Sequence, residues 1–179
     1  MNQEQHIINL IECDSLRMRA LRTVKSLDLP DWLIAAGFVR NLVWSNLFGN
    51  DAPLNDIDVI YYCALDVSQE RDSILEQRLH SLDPELPWSV KNQARMHLNN
   101  GDAPYTNTLD AMGYWPEKQT AIGATLDAND EVVLRHRFDL NFQFNGKIDR
   151  NPARSIGVFS ARVAAKGWLE LWPELQVNI

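Results

Sequence analysis

Two short runs, separated by a helix-length gap, constrain this chain more than any other feature. The first, Leu33-Ile34-Ala35-Ala36-Gly37-Phe38-Val39-Arg40-Asn41, is apolar up to Gly37 and then changes character. Such an unbroken apolar run suits a central strand buried on both faces, and a glycine at its end suits a tight turn into a helix. Val39, Leu42, Val43, Asn46 and Leu47 then share one side of that helix, which Gly49-Asn50 terminates. The second run, Asn55-Asp56-Ile57-Asp58-Val59-Ile60-Tyr61-Tyr62, reads as a strand that begins on two carboxylates. Successive strand side chains point to opposite faces, so Asp56 and Asp58 project together, with Cα atoms about 7 Å apart. Ile57 and Val59 face the other way, into a core.

A strand, a glycine turn and a helix N-terminus make a place where backbone amides and the helix dipole meet phosphate. Arg40 and Asn41 lie in the first turn of that helix, and the Arg40 fork of donors can bind phosphate in two places. Two carboxylates on one face can hold a divalent cation of the Mg²⁺ type, which takes oxygen ligands and keeps substrate phosphates in its remaining positions. Taken singly, Gly37 also suits an ordinary strand-to-helix turn and Asn55-Asp56 an ordinary capped turn. Their combination is what favours phosphate and metal.

Gly37 to Asn41 together with Asp56-Ile57-Asp58 resembles the glycine-turn and Asp-x-Asp signature of the nucleotidyltransferase superfamily that includes DNA polymerase β and minimal nucleotidyltransferases. The longer run is similar to a bacterial nucleotidyltransferase-like family. That similarity is carried by Gly37-Phe38-Val39-Arg40-Asn41-Leu42-Val43-Trp44, by Pro53-Leu54-Asn55-Asp56-Ile57-Asp58-Val59, by Val90-Lys91-Asn92-Gln93-Ala94-Arg95-Met96-His97, and by Trp115-Pro116-Glu117 with Thr120-Ala121-Ile122-Gly123. The blocks spread over most of the chain. They imply an α/β (α+β) fold in one domain, with a nucleotidyltransferase-type mixed β-sheet flanked by helices.

The resemblance implies transfer of a nucleoside monophosphate from an NTP to an acceptor. Asp56 and Asp58 would be catalytic residues and Mg²⁺ ligands, with Mn²⁺ as a substitute, while Gly37, Arg40 and Asn41 would hold the nucleotide phosphates. Active members of the superfamily generally add a third carboxylate from a neighbouring strand. Here the strand after the next helix offers Asn92, whose amide takes no proton at neutral pH. Asp139, in Arg137-Phe138-Asp139-Leu140, is the catalytic candidate to replace it, against the plainer reading of a strand-end residue facing water. Lacking that acid, the chain would be a catalytically silent nucleotide-binding or regulatory module. A toxin-like nucleotidyltransferase of a two-protein system is a further alternative. The acceptor, whether small molecule, RNA or protein, leaves no signature.

The rest of the chain fits one domain. Apolar spacing over residues 3–27 predicts two amphipathic helices, with Asp14-Ser15 starting the second, as the helical part of an N-terminal cover of residues 1–29. Pro30 precedes a sheet core of residues 32–145. That core comprises strands at 32–36, 57–62 and 88–93, a helix over 68–82, a short helix capped by Thr108 or Asp110, and a hairpin turning at Asn129-Asp130. A helix of packing character is expected over 152–173. His97 also reads as structural, since nothing in the sequence orients it as a base.

Seventeen basic against 24 acidic side chains give a net charge of −7, which disfavours general nucleic-acid binding. Cys13 and Cys63 form no Cys-x-x-Cys pair, and no apolar run approaches a membrane helix. Met1 to Gln5 lacks the basic start of a signal peptide, so a cytoplasmic protein without a membrane partner is expected.

Overall fold

A computed structural model describes residues 2–179. Helices α1 (Gln3–Glu12) and α2 (Ser15–Lys25) open the chain, and Asp14 caps the second by accepting from Arg17 N. They bury Ile7, Ile11, Met18, Leu21 and Val24 in the main core. The helices of the expected cover thus form, while Met1 lies outside the described residues.

Five strands make the central sheet: β1 (Leu33–Ala35), β2 (Ile57–Tyr61), β3 (Trp88–Asn92), β4 (Ile122–Leu126) and β5 (Val132–His136), in the order β3-β2-β1-β4-β5. β1 lies antiparallel to both β2 and β4, β2 is parallel to β3, and β4 is antiparallel to β5. The three strands expected side by side are neighbours. Parallel pairing of β2 and β3 needs a long crossover, and the helix between them supplies it. The β4–β5 hairpin turns as expected, with Asp130 in the left-handed region at φ 64°.

Both faces of β1 are covered, as its apolar run requires. Ile34 enters the main core with Ile57, Val59 and Val90. Leu33 and Ala35 enter a smaller core with Ile60, Met112 and Ala121.

Helix α3 (Gly37–Phe48) departs from the one-sided pattern. Phe38, Val39 and Val43 join the main core, but Trp44 is also fully buried and Leu47, expected inward, is 40% exposed. The reason is a second core that no local pattern announces, in which Trp44 packs with Ile148, Phe159, Val163, Trp168, Trp172 and Leu175.

Helix α4 (Gln69–Leu82) follows β2, capped by Ser68, and the short helices α5 (Met96–Asn100) and α6 (Thr108–Met112) follow β3. Asn107, rather than Thr108 or Asp110, caps α6 by accepting from Asp110 N. Beyond the sheet come α7 (Asn141–Phe144) and β6 (Lys147–Asp149). The expected C-terminal helix is two, α8 (Ile156–Lys166) and α9 (Trp168–Leu171), broken at Gly167 with φ 64°. The final strand β7 (Gln176–Asn178) pairs in parallel with β6.

The turn at the head of α3 differs from expectation in one residue. The positive φ falls on Ala36, at φ 57° and ψ −120°, and not on Gly37. That region favours glycine, and a side chain there costs roughly 1–3 kcal/mol. Glycine is disfavoured by roughly 0.5–1 kcal/mol through the unfolded chain. Ala36→Gly is therefore expected to stabilise by about 1 kcal/mol, raising the thermal midpoint by about 2–4 °C. A lower midpoint would show that Ala36 carries no strain.

Candidate active site

Asp56 precedes β2 and is exposed, while Asp58 is its second residue and is partly buried. The register sets Asp58 between Ser89 of β3 and Ala35 of β1, with Gly123 of β4 beyond Ala35. The row through Asp58 is therefore built of small residues. Above it opens a cavity of about 380 Å³, lined by both aspartates with Lys91, Trp115, Thr120 and Arg162. A second space of about 120 Å³ joins the same aspartates to Gly37, Arg40 and Asn41 at the head of α3, and to Arg162 and Lys166 of α8.

The head of α3 has no side-chain cap. Ala36 O accepts from Val39 N and Arg40 N, and the amides of Gly37 and Phe38 have no helical partner. A Cβ on Gly37 would stand 3.3 Å from Asn41 Nδ2 and 3.4 Å from Arg40 Nη2, so glycine keeps this corner open.

Arg40 is buried, with its guanidinium 4.4 Å from the Trp168 ring centre and 5.2 Å from that of Trp44. Its Nε and Nη2 donate to Asn41 Oδ1 at 3.2 and 2.8 Å, and Nη1 donates to Thr120 Oγ1 at 2.9 Å. One hydrogen is left on each terminal nitrogen. Burial lowers its pKa to about 10, partly offset by Glu117, so it stays charged at neutral pH. By accepting from Arg40, Asn41 Oδ1 fixes the amide and leaves Nδ2 as a donor on the wall of the smaller space.

Burial raises the Asp58 carboxyl above the ordinary carboxylate range, and the like charge of Asp56 raises it further. Lys166, Lys91 and Arg40 pull it back only in part. Two carboxylates held together, whose mutual repulsion the neighbouring cations offset only in part, suit a divalent cation. Among the described residues no group of three or more His, Cys, Asp or Glu forms a metal cage. A cation here would rest on Asp56 and Asp58 and complete its shell from phosphate and water, a pattern that fits Mg²⁺.

Asp56, Asp58, Gly37, Arg40 and Asn41 are thus brought to one place, and Asp139 is not. It is exposed beyond the end of β5, its Oδ1 accepts from Asn141 N at the start of α7, and it lines neither space. Asn92 is also not at the position an acid would need. In the parallel pairing it sits beside Tyr61, on the face opposite Asp58. It is fully buried there, where its amide donates to Cys63 O and Asp66 O. The β3 residues that line the site are Ser89 and Lys91. His97 packs edge-on to Tyr105 and lines neither space.

Sequence reasoning missed Lys91, Arg162 and Lys166, and gave Glu117 no role. Strand alternation put Trp88, Val90 and Asn92 on one face, which already sends Lys91 to the other. Arg162 and Lys166, four apart, share one helix face, but nothing local ties that face to Asp58.

The sequence matches the nucleotidyltransferase family over residues 22–177. No curated protein matches it. An NMR structure described as revealing a CCA-adding enzyme head domain is 31% identical, aligning 98% of this chain with 96% of that one at a TM-score of 0.86. A chain from a tRNA-processing enzyme complex aligns with 88% of this chain and 42% of its own length, at 16% identity and a TM-score of 0.53, a likeness of fold alone. The family match runs from α2 to β7 and takes in the head of α3, the Asp pair and the cations of α8, so this chain belongs to the nucleotidyltransferase family.

Proposed function

We propose that the protein transfers a nucleoside monophosphate from a Mg²⁺-bound NTP to an acceptor hydroxyl, with Mn²⁺ able to substitute. The observation that carries this reading is the smaller space, where the open head of α3 meets the Asp pair and two cations from α8. The amide of Gly37, Asn41 Nδ2, Arg162 and Lys166 hold the triphosphate, and Arg40 fixes Asn41 from below. Held by Asp56 and Asp58, the metal would supply charge stabilisation at the transferring phosphate. The acceptor hydroxyl gives its proton to water as its oxygen forms a bond to the α-phosphorus and the bond to pyrophosphate breaks, and the cations around the triphosphate stabilise the departing charge. The acceptor enters through the larger cavity, past Trp115 and Lys91. A reaction drawing on NTP fits the cytoplasm, and among the described residues no helix is long and apolar enough to cross a membrane.

The 3′ end of an RNA is the acceptor to test first. The 31% identical structure is described as a CCA-adding enzyme head domain. In addition, the larger cavity shares Trp115, Asn99, Asn100 and Arg162 with a cleft of about 400 Å³ that adds Tyr114, so that two aromatic rings and the Arg162 cation suit a polynucleotide end. The silent-module reading keeps one support, that Ser89 and Lys91 stand where a third acid would be; family membership favours the enzyme.

Incubation with each labelled NTP, Mg²⁺ and either total RNA or RNA-free extract tests both points. Label on RNA that is abolished by EDTA is expected, and no labelled product with any NTP would sink the enzyme reading. Asp139→Asn should leave turnover within about a factor of three, as for a surface residue away from the chemistry. A larger loss would restore Asp139 to the mechanism.

A further inference from the structure

We infer that Glu117 is a positioning residue that fixes Arg162 as a triphosphate contact and couples the head of α3 to α8. The inference rests on the nucleotide reading above. Glu117 is fully buried, and a buried carboxylate is costly unless cations and donors surround it. Arg162 Nε lies 2.8 Å from Oε1, off the hydrogen-bond direction, and donates to Oε2 at 3.1 Å. Thr120 Oγ1 donates to Oε2 at 2.9 Å and itself accepts from Arg40 Nη1 at 2.9 Å. One carboxylate thereby ties α8 to the first turn of α3. The backbone of Glu117 is anchored as well, bridged to that of Arg150.

The way Arg162 is held points to a ligand. Glu117 takes only Nε, and among the described residues the terminal nitrogens of Arg162 find no hydrogen-bond acceptor. A guanidinium steadied at Nε with its outer fork free presents two donors in the geometry that binds phosphate oxygens. Arg162 lines the larger cavity and the smaller space, both of which Asp56 and Asp58 also line, and the adjoining cleft. Arg40 and Arg162 share the single carboxylate of Glu117, leaving an excess positive charge beside the Asp pair.

The test measures binding of Mg²⁺ with each of ATP, GTP, CTP and UTP by calorimetry, and thermal midpoints, for wild type, Glu117→Gln, Arg162→Gln, the double variant, Arg162→Lys and Asp58→Asn. Arg162→Gln and Glu117→Gln are each expected to weaken the tightest-binding NTP by about tenfold or more, the scale of a charge-assisted phosphate contact. The double variant is expected to bind no more weakly than Arg162→Gln, because Glu117 acts through Arg162. Arg162→Lys keeps the charge but cannot be held at Nε with a free fork, so it is expected to lose most of the same affinity.

Wild-type affinity in Glu117→Gln, or effects that add in full in the double variant, would overturn the inference; a lowered midpoint alone would mark Glu117 as structural only. Should Glu117→Gln fail to fold, wild-type affinity in Arg162→Lys overturns it instead. If Asp58→Asn weakens binding and Glu117→Gln does not, only this inference falls. If wild type binds no NTP, or Asp58→Asn binds as wild type does, the nucleotide reading falls and takes the inference with it.

Discussion

Replacing Asp58 by asparagine is expected to lower nucleotidyl transfer by about a thousandfold or more while raising the thermal midpoint of the metal-free protein. The loss follows from removing a charge and a ligand from a two-carboxylate site. Metal stabilisation of transition-state charge is worth several kcal/mol, at about 1.4 kcal/mol per factor of ten. The gain in stability follows from the direction of the Asp58 shift, which burial and then Asp56 push upward. A carboxyl whose folded pKa exceeds its unfolded value binds its proton more tightly in the folded state. Stability therefore falls as pH rises from the unfolded value, near 3.8, through the raised folded value, and the penalty is complete above it. At neutral pH metal-free wild type carries that penalty, and Asp58→Asn does not.

Melting curves at neutral and acid pH, each with and without Mg²⁺, check the argument. The difference between variant and wild type should shrink towards acid pH, and added Mg²⁺ should stabilise wild type more than the variant. A variant less stable than wild type without metal at neutral pH would contradict the charge argument. Turnover within tenfold of wild type would contradict the catalytic one.

Trp44→Ala is expected to be the most destabilising single change in the second core, costing about 3–5 kcal/mol, the scale for truncating a buried tryptophan. Trp44 is fully buried, meeting Trp172 edge-on at 5.2 Å and Trp168 at 5.9 Å between ring centres, with the Arg40 guanidinium 5.2 Å from its own ring. Among the described residues its Nε1 finds no hydrogen-bond partner, so the loss is one of packing and cation–π contact. The midpoint should fall by roughly 6–20 °C. Affinity for Mg²⁺·NTP should fall too, because these rings seat the segment that carries Arg162 and Lys166. Leu47→Ala, on the exposed side of the same helix, should do much less in both measurements. Equal effects of the two substitutions would mean that the tryptophan cluster anchors nothing.

Local period and composition made the strand at residues 33–35, its helix, the Asp-x-Asp strand and the alternation of β3 legible, because each depends on neighbours a few residues away. The same reasoning failed at Ala36, where the chain places a positive φ one residue before the glycine. It failed also at Asn92, since alternation showed which residues share a face but not which face lies beside Asp58. That choice is made by the pairing of β3 with β2, a contact across a whole helix. Asp139 could serve as the third acid only if its strand paired near the Asp pair, and the strand order puts β1 and β4 between β5 and β2.

By itself the sequence determined the elements at the heart of the candidate site, since the residues that bend the chain into α3 and start β2 are those that line its smaller space. It also carried the family, through blocks whose order survives along the chain. Only the tertiary structure decided how the charge of the site is completed. Arg162 and Lys166 reach the Asp pair because three tryptophans and Phe159 bury α8 and α9 against α3, and Glu117 has a role only because that packing brings Arg162 to it. Electrostatic interactions depend on distance in space, and distance in space between remote segments is set by packing that no local pattern encodes.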